Sequence, residues 1–197
     1  MMEKRKSFTM KMEYENAGEL GLVLQGEKPK LGTKFYMLYT KEGIQVRFEC
    51  EIKGRTHSAF KGEFVPVWHA DAVEVFLSPY GKEDWYYEFD FAPNGSFFHG
   101  HIYNPDGRTA YNHALSPDHS VRGNIKIKKG LWTTEMFIPF AEMGLSDKSL
   151  EEIKSLPWRF NVYRIEDKGQ EYTSFAPTRA EIINFHISSA FADLIFE

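Results

Sequence analysis

The stretch Trp68-His-Ala-Asp71-Ala-Val-Glu74-Val-Phe76-Leu77-Ser-Pro79 decides the reading of this chain. From Val73 onward, Val73, Val75 and Leu77 alternate with Glu74 and Phe76. A period of two is the signature of a strand, so Glu74 and Phe76 lie on the face opposite the valines. Trp68 stands six residues before Glu74, in or beside the preceding loop. An indole near a strand-borne carboxylate suits a polyhydroxylated ring: the aromatic face packs on C–H groups and the carboxylate accepts from hydroxyls. The same spacing fits a core tryptophan beside a surface glutamate, and burial is the commoner role of a large aromatic.

Outward from this stretch, the chain reads mostly as strands. Lys34 to Tyr39 and Ile44 to Ile52 flank the hairpin turn Lys41-Glu-Gly43. Residues 54–67 lack a sustained period and read as a long loop leading to Trp68; loops of that length are often binding loops. After the turn Pro79-Tyr-Gly81, the segment Trp85-Tyr-Tyr87-Glu-Phe89-Asp-Phe91 alternates, with Glu88 and Asp90 opposite the aromatics. Pro93-Asn-Gly95 and Asn104-Pro-Asp-Gly107 are turns on either side of a strand over residues 96–103. Further strands are expected over Val121 to Ile127, Trp132 to Ile138, Trp158 to Ile165, Glu171 to Phe175 and Phe191 to Phe196, which closes the sheet. The turn before Glu171 falls at Glu166-Asp-Lys-Gly169.

One helix is expected at Ser149-Leu-Glu-Glu152, where the spacing makes a capping box and Pro157 ends the run; a shorter turn follows Pro139. Residues 1–19 show little periodicity and read as a loose or peripheral arm. About ten short strands with turns every 8–12 residues describe an all-β chain: one jelly-roll-like antiparallel β-sandwich over residues 1–197, with one or two short helices.

Composition narrows the function. The 197 residues are enough for one domain with a substantial core. The net charge of −4, with basic runs only at Lys4-Arg5-Lys6 and Lys126 to Lys129, argues against a nucleic-acid partner. No apolar run approaches the ~20 residues of a membrane-spanning helix. The basic N-terminus lacks the apolar segment of a signal peptide, so the sequence as written reads as cytoplasmic; a trimmed secreted protein would look the same. Aromatic residues make up 16% of the chain, favouring β structure and supplying material for stacking platforms. Cys50, the single cysteine, falls on the apolar side of a strand and reads as a core residue.

Several polar groups could carry chemistry. Glu74, Glu88 and Asp90 are strand-borne acids of the type a glycosidase would need, although exposed sheet faces ordinarily carry acids. His99 and His101 share one side of a strand but have no third ligand at readable spacing, so ordinary polar positions are the better reading. His69 and Asp71 either form a ligand pair or fix the loop beneath Trp68, and the second reading is preferred. His186 reads as a structural hydrogen-bonder. Trp132 and Trp158 are expected to be buried, while Trp85 is ambiguous.

The order of motifs carries a resemblance. Trp68…Asp71-Ala-Val-Glu74-Val-Phe76-Leu77 is followed by Tyr87-Glu-Phe89 with Asn94-Gly95, and then by Trp132-Thr-Thr-Glu135-Met-Phe-Ile138-Pro139-Phe140. Next come Trp158-Arg-Phe160-Asn161-Val-Tyr-Arg164, Thr173-Ser-Phe175-Ala-Pro177, and Asn184-Phe-His186 before Phe191-Ala-Asp-Leu194. In that sequence, over roughly residues 34 to 197, the chain resembles family 9 carbohydrate-binding modules. The resemblance implies a sandwich that binds saccharides without hydrolysing them, gripping a sugar end between two tryptophans, with structural calcium ions. Trp68 and Glu74 match the first tryptophan and the carboxylate. Phe175 stands where the second tryptophan is expected, and Asp90 replaces a basic residue. Tyr163, or its neighbour Arg164, falls near an expected amide. The implied site is therefore Trp68, Glu74 and Phe175, lined by Arg164, Tyr163 and Asp90. The expected partner is an oligo- or polysaccharide, together with a carbohydrate-active enzyme; no cofactor is required, and calcium is the metal the resemblance admits. Two alternatives stay open: a haem-binding electron-transfer sandwich, for which Met136 or His99 could be proposed as axial ligands, and a protein-interaction module with Phe175 buried.

Overall fold

A computed structural model describes residues 5–114, 120–167 and 170–197, so Lys4 of the basic run, residues 1–4 of the expected arm, and Lys168-Gly169 of the expected turn lie outside the described residues. In chain order the strands are β1 (Ser7–Met10), β2 (Ala17–Glu19), β3 (Gly21–Leu22), β4 (Thr33–Tyr39), β5 (Gly43–Glu51), β6 (Ala72–Ser78) and β7 (Trp85–Phe91). They continue with β8 (Phe97–Tyr103), β9 (Tyr111–Ala114), β10 (Arg122–Lys128), β11 (Leu131–Pro139), β12 (Arg159–Glu166), β13 (Glu171–Ser174) and β14 (Ala192–Phe196). They form two sheets. The larger runs β1-β14-β12-β6-β7-β8-β9, with β13 and β3 branching from β12; the smaller runs β10-β11-β5-β4-β2. All neighbours pair antiparallel except β1 with β14.

The main core lies between the sheets and follows from alternation. Phe35, Val46, Phe48, Trp132, Met136 and Ile138 of the small sheet meet Val73, Val75, Leu77, Phe89, Phe160 and Val162 of the large one. Cys50 belongs to this core, and burial pushes its thiol up to about 11, so it is an inert packing residue. Trp158, expected to be buried, lies there too, as do Met37, Met136 and Met143. The capping box forms as expected: the Ser149 hydroxyl accepts from the Glu152 N–H, and the Glu152 carboxylate accepts from Ser149.

The large sheet is buried on both faces. All seven residues of β6 are buried. On the side away from the small sheet, Phe76, Tyr86, Ile102, Tyr163 and Ile165 form a second cluster with Val23, Phe185 and Phe191. Its cover comes from loops, including the long loop before Trp68 and the segment 177–191.

Three expectations need correction. The arm is peripheral but not loose: Phe8 and Met10 are buried in the core, and β1 pairs in parallel with β14. A four-residue strand is too short to show a period, and its partner lies near the other end of the sequence. For the same reason the C-terminal strand does not close the sheet, because β1 lies outside it. Strands also outnumber the expected ten: β2, β3 and β9 are short additions at edges, where pairing rather than apolar pattern defines them.

Candidate functional site

On the outer face of the large sheet, three acids come together. Glu74 pairs across strands with Asp90 on one side and Tyr163 on the other, and Glu88 lies two residues from Asp90 on the same face of β7. One oxygen from each of Glu74, Glu88 and Asp90 lies within 4.8 Å of the other two. All three are essentially buried, at 2%, 3% and 0% exposure. Adjacent like groups on neighbouring strands would repel if all were ionised.

The physical result is a cluster of carboxyls that hold protons. Burial, reinforced by Glu88, holds Glu74 and Asp90 well above the usual carboxylate range. Burial also raises Glu88, to about 7, partly offset by its hydrogen bond to Asp90. That bond requires one of the two to be protonated. Apart from that bond between the two acids, no partner among the described residues reaches Glu74 Oε1, Glu88 Oε2 or either Asp90 oxygen.

Glu74 and Glu88 form the floor of a cavity of about 370 Å³. Its walls are Trp68, Tyr172 and Phe185, with Asn112, Asn184 and His186 supplying polar groups. Trp68 sits in a one-turn helix, Val67–His69, half-buried, with its ring edge-on to Phe98 at 5.1 Å. Beneath it Asp71 accepts from the backbone N–H groups of His57 and Asp167, tying the long loop to the β12–β13 turn. Asp71 thus fixes the loop, as the sequence led us to prefer, while His69 is exposed.

The far wall is held from below. Tyr163 stacks flat on Phe185 at 4.3 Å and donates its hydroxyl to the Phe185 carbonyl. Asn161 donates to Tyr163 Oη and to the Ala176 carbonyl. His186 completes a second chain: Asn104 donates to Tyr86 Oη and to the His186 carbonyl, and Tyr86 Oη lies 2.7 Å from His186 Nδ1. Burial lowers His186 to about 4, so the imidazole is neutral and Nδ1 accepts from Tyr86. His186 is therefore the structural hydrogen-bonder expected, and it also faces the cavity.

Of the six residues singled out, the structure brings together Trp68, Glu74 and Asp90, with Tyr163 directly beneath the wall. Two are elsewhere. Phe175 lies just past β13 and packs among Phe8, Phe35 and Phe160 at centroid distances of 6.1, 5.2 and 5.6 Å, with the Lys6 ammonium 4.7 Å from its ring centre. Its backbone step places it on the inter-sheet side, away from Trp68. Arg164 also points between the sheets, because it alternates with Tyr163. Its guanidinium donates to Thr33 Oγ1 at 2.9 Å and to the Glu51 carbonyl at 2.7 Å. It ties the two sheets together and does not line the cavity.

Tyr172 and Phe185, rather than Phe175, supply the aromatic wall facing Trp68. Tyr172 could have been placed from β13 alternation, since it pairs with Ile165 on the outer face. Asn112 and Asn184 carried no readable signal. Of the remaining candidates, His99 and His101 do share a face, but each is packed against rings: Phe89 and Phe97 for His99, Trp85 and Tyr87 for His101. Met136 is buried in the main core. Among the described residues, the acid triad is the one group of three or more acids, histidines or cysteines close enough to share an ion. It stands on strands at the floor of a pocket.

No protein-family model matches the chain, and no curated protein matches it. Solved structures do. A candidate carbohydrate-binding protein from Bacteroides uniformis superposes with a TM-score of 0.80 at 20% identity, over 98% of this chain and 100% of that one. A family 9 carbohydrate-binding module from Caldicellulosiruptor kristjanssonii in complex with glucose gives a TM-score of 0.63 at 11% identity, over 98% and 96% of the two chains. A family 9 module from the same organism with cellotriose gives 0.62 at 13% identity, over 98% and 94%. From end to end, then, the described sandwich has the fold of the family 9 carbohydrate-binding modules.

Proposed function

We propose that the protein binds a saccharide, without cleaving it, in the cavity between Trp68, Tyr172 and the Glu74–Glu88 floor. The observation that carries this reading is a concave site with aromatic walls that ends on buried hydrogen-bond acceptors lacking donors. Sugars offer both complements, C–H faces for the rings and hydroxyl donors for the oxygens. The volume of about 370 Å³ falls in the usual range of small-molecule sites and suits one or two sugar rings. The neighbouring folds solved with glucose and cellotriose support the same ligand class.

The placement of the acids supports binding without hydrolysis. Glycoside cleavage needs two carboxyls flanking the scissile bond, one of them ionised or positioned to activate water. Glu74, Glu88 and Asp90 rise from two adjacent strands on one floor, and burial raises all three above the usual carboxylate range. They form a platform of hydrogen-bonding groups under a ligand. We further propose that the ligand is the end of a chain, because the cavity is closed beneath by the sheet, and that the domain serves a carbohydrate-active enzyme.

Tryptophan fluorescence tests the reading. Trp132 and Trp158 are buried in the main core and Trp85 packs on His101 and Tyr103 outside the cavity, so a ligand-dependent change would report chiefly on Trp68. Stacking that hides about 100 Å² of apolar surface is worth roughly 2–3 kcal/mol at ~25 cal/mol per Å², or about 30- to 150-fold in affinity. A saturable response to mono- or oligosaccharides that disappears in Trp68→Ala is expected. Absence of any response at millimolar sugar would refute the proposal.

A further inference from the structure

We propose that the cavity prefers a saccharide bearing a free primary amine, whose ammonium group is received by Glu74 and Glu88 with Asp90 behind them. The inference rests on the sugar-binding reading above and names the ligand class of that site.

The first argument is complementarity. Outside the acid cluster itself, Glu74 Oε1 and Glu88 Oε2 have no hydrogen-bond partner among the described residues, and both side chains face the cavity. An unmet acceptor in a buried site is costly, so the favoured ligand brings several donors to one point. An ammonium head carries three N–H donors, whereas a hydroxyl carries one. The second argument is charge. Among the described residues, no lysine or arginine lines the cavity, and His186 there is neutral with its Nδ1 engaged by Tyr86. None of those lining residues would repel a cation or neutralise the acids.

The walls add a third argument. Trp68, Tyr172 and Phe185 present aromatic rings around the same floor, and aromatic rings attract a cation through their electron-rich faces.

Binding of an ammonium would ionise acids that are protonated in the free protein, and their protons would pass to the buffer. Charge-assisted hydrogen bonds are roughly twice as strong as neutral ones, so a preference of about tenfold is expected. The test is calorimetric titration of the full chain with glucosamine, N-acetylglucosamine and glucose near neutral pH. It is run in two buffers of different ionisation enthalpy, with calcium and with a chelator. Glucosamine should bind about tenfold more tightly than the other two, release protons, and be indifferent to calcium. In Asp90→Asn that preference should fall toward one, with a melting curve confirming that the variant folds.

If glucose or N-acetylglucosamine binds as well as glucosamine, the amine preference is overturned and sugar binding stands. Sugar binding that depends on calcium would also overturn it, replacing the ammonium by a metal ion on the same acids. If none of the three sugars binds, the inference falls together with the sugar reading.

Discussion

Replacing Glu88 by glutamine should change how stability depends on pH, by an amount the structure sets. In the folded protein burial pushes Glu88 up to about 7, against 4.5 for the free group, with the hydrogen bond to Asp90 partly offsetting it. Between pH 4.5 and 7 the unfolded carboxyl has lost its proton while the folded one keeps it. Folding therefore takes up a proton in this window, and stability falls as pH rises. At ~1.4 kcal/mol per pH unit, the penalty reaches about 3 kcal/mol by pH 7 to 8. Glu74 and Asp90 are also held well above the usual carboxylate range, by burial and by the neighbouring Glu88.

His186 works in the opposite direction. Burial lowers it to about 4, so the unfolded protein binds the extra proton between pH 4 and 6.5, and stability rises with pH there. The wild-type profile mixes both effects, and the difference between variant and wild type isolates Glu88. Urea melts at half-unit intervals from pH 4.5 to 8 should show Glu88→Gln gaining on the wild type by about 3 kcal/mol across the range. For a chain of this size that corresponds to roughly 6–12 °C in Tm. A difference that stays constant with pH would refute the account of a protonated buried acid.

Other consequences are simpler to check. Phe175→Ala should destabilise the protein by about 2–3 kcal/mol through lost packing on Phe35 and Phe160, measured by denaturant unfolding, with no loss of sugar affinity beyond that due to unfolding. The corresponding change at Tyr172, which faces the cavity, should cost binding measured by titration and little stability. Ser149→Ala should lower stability by about 1 kcal/mol in the same unfolding assay, since the helix loses the hydroxyl that accepts from Glu152.

Local pattern was enough to establish the sheets and one end of the site. Alternation set Glu74 opposite the valines of Val73 to Leu77, and Glu88 with Asp90 opposite the aromatics of Trp85 to Phe91, because side-chain direction in a strand follows parity; the register of the two strands then puts all three on one face. The capping residues marked the helix because their chemistry is local. Alternation also assigns Tyr163 and Arg164 to opposite faces, yet it does not say which face meets the other sheet. Only the packing of the two sheets sends Arg164 inward to Thr33 and Glu51 while Tyr163 supports the cavity wall.

Phe175 shows where sequence order fails. It follows a strand of four residues, and the backbone at its end, not the motif around it, turns the ring toward Phe8 and Phe35. The wall at Phe185 and His186, and the amides of Asn112 and Asn184, come from loops whose positions depend on contacts far along the chain, such as Tyr163 with Phe185 and Asn104 with His186. The sequence by itself determined the strands, the faces and the acids, because those depend on neighbours one or two residues away. The tertiary structure alone decided that three acids share one buried floor and that loops enclose it, because burial depends on what the rest of the chain lays over the sheet.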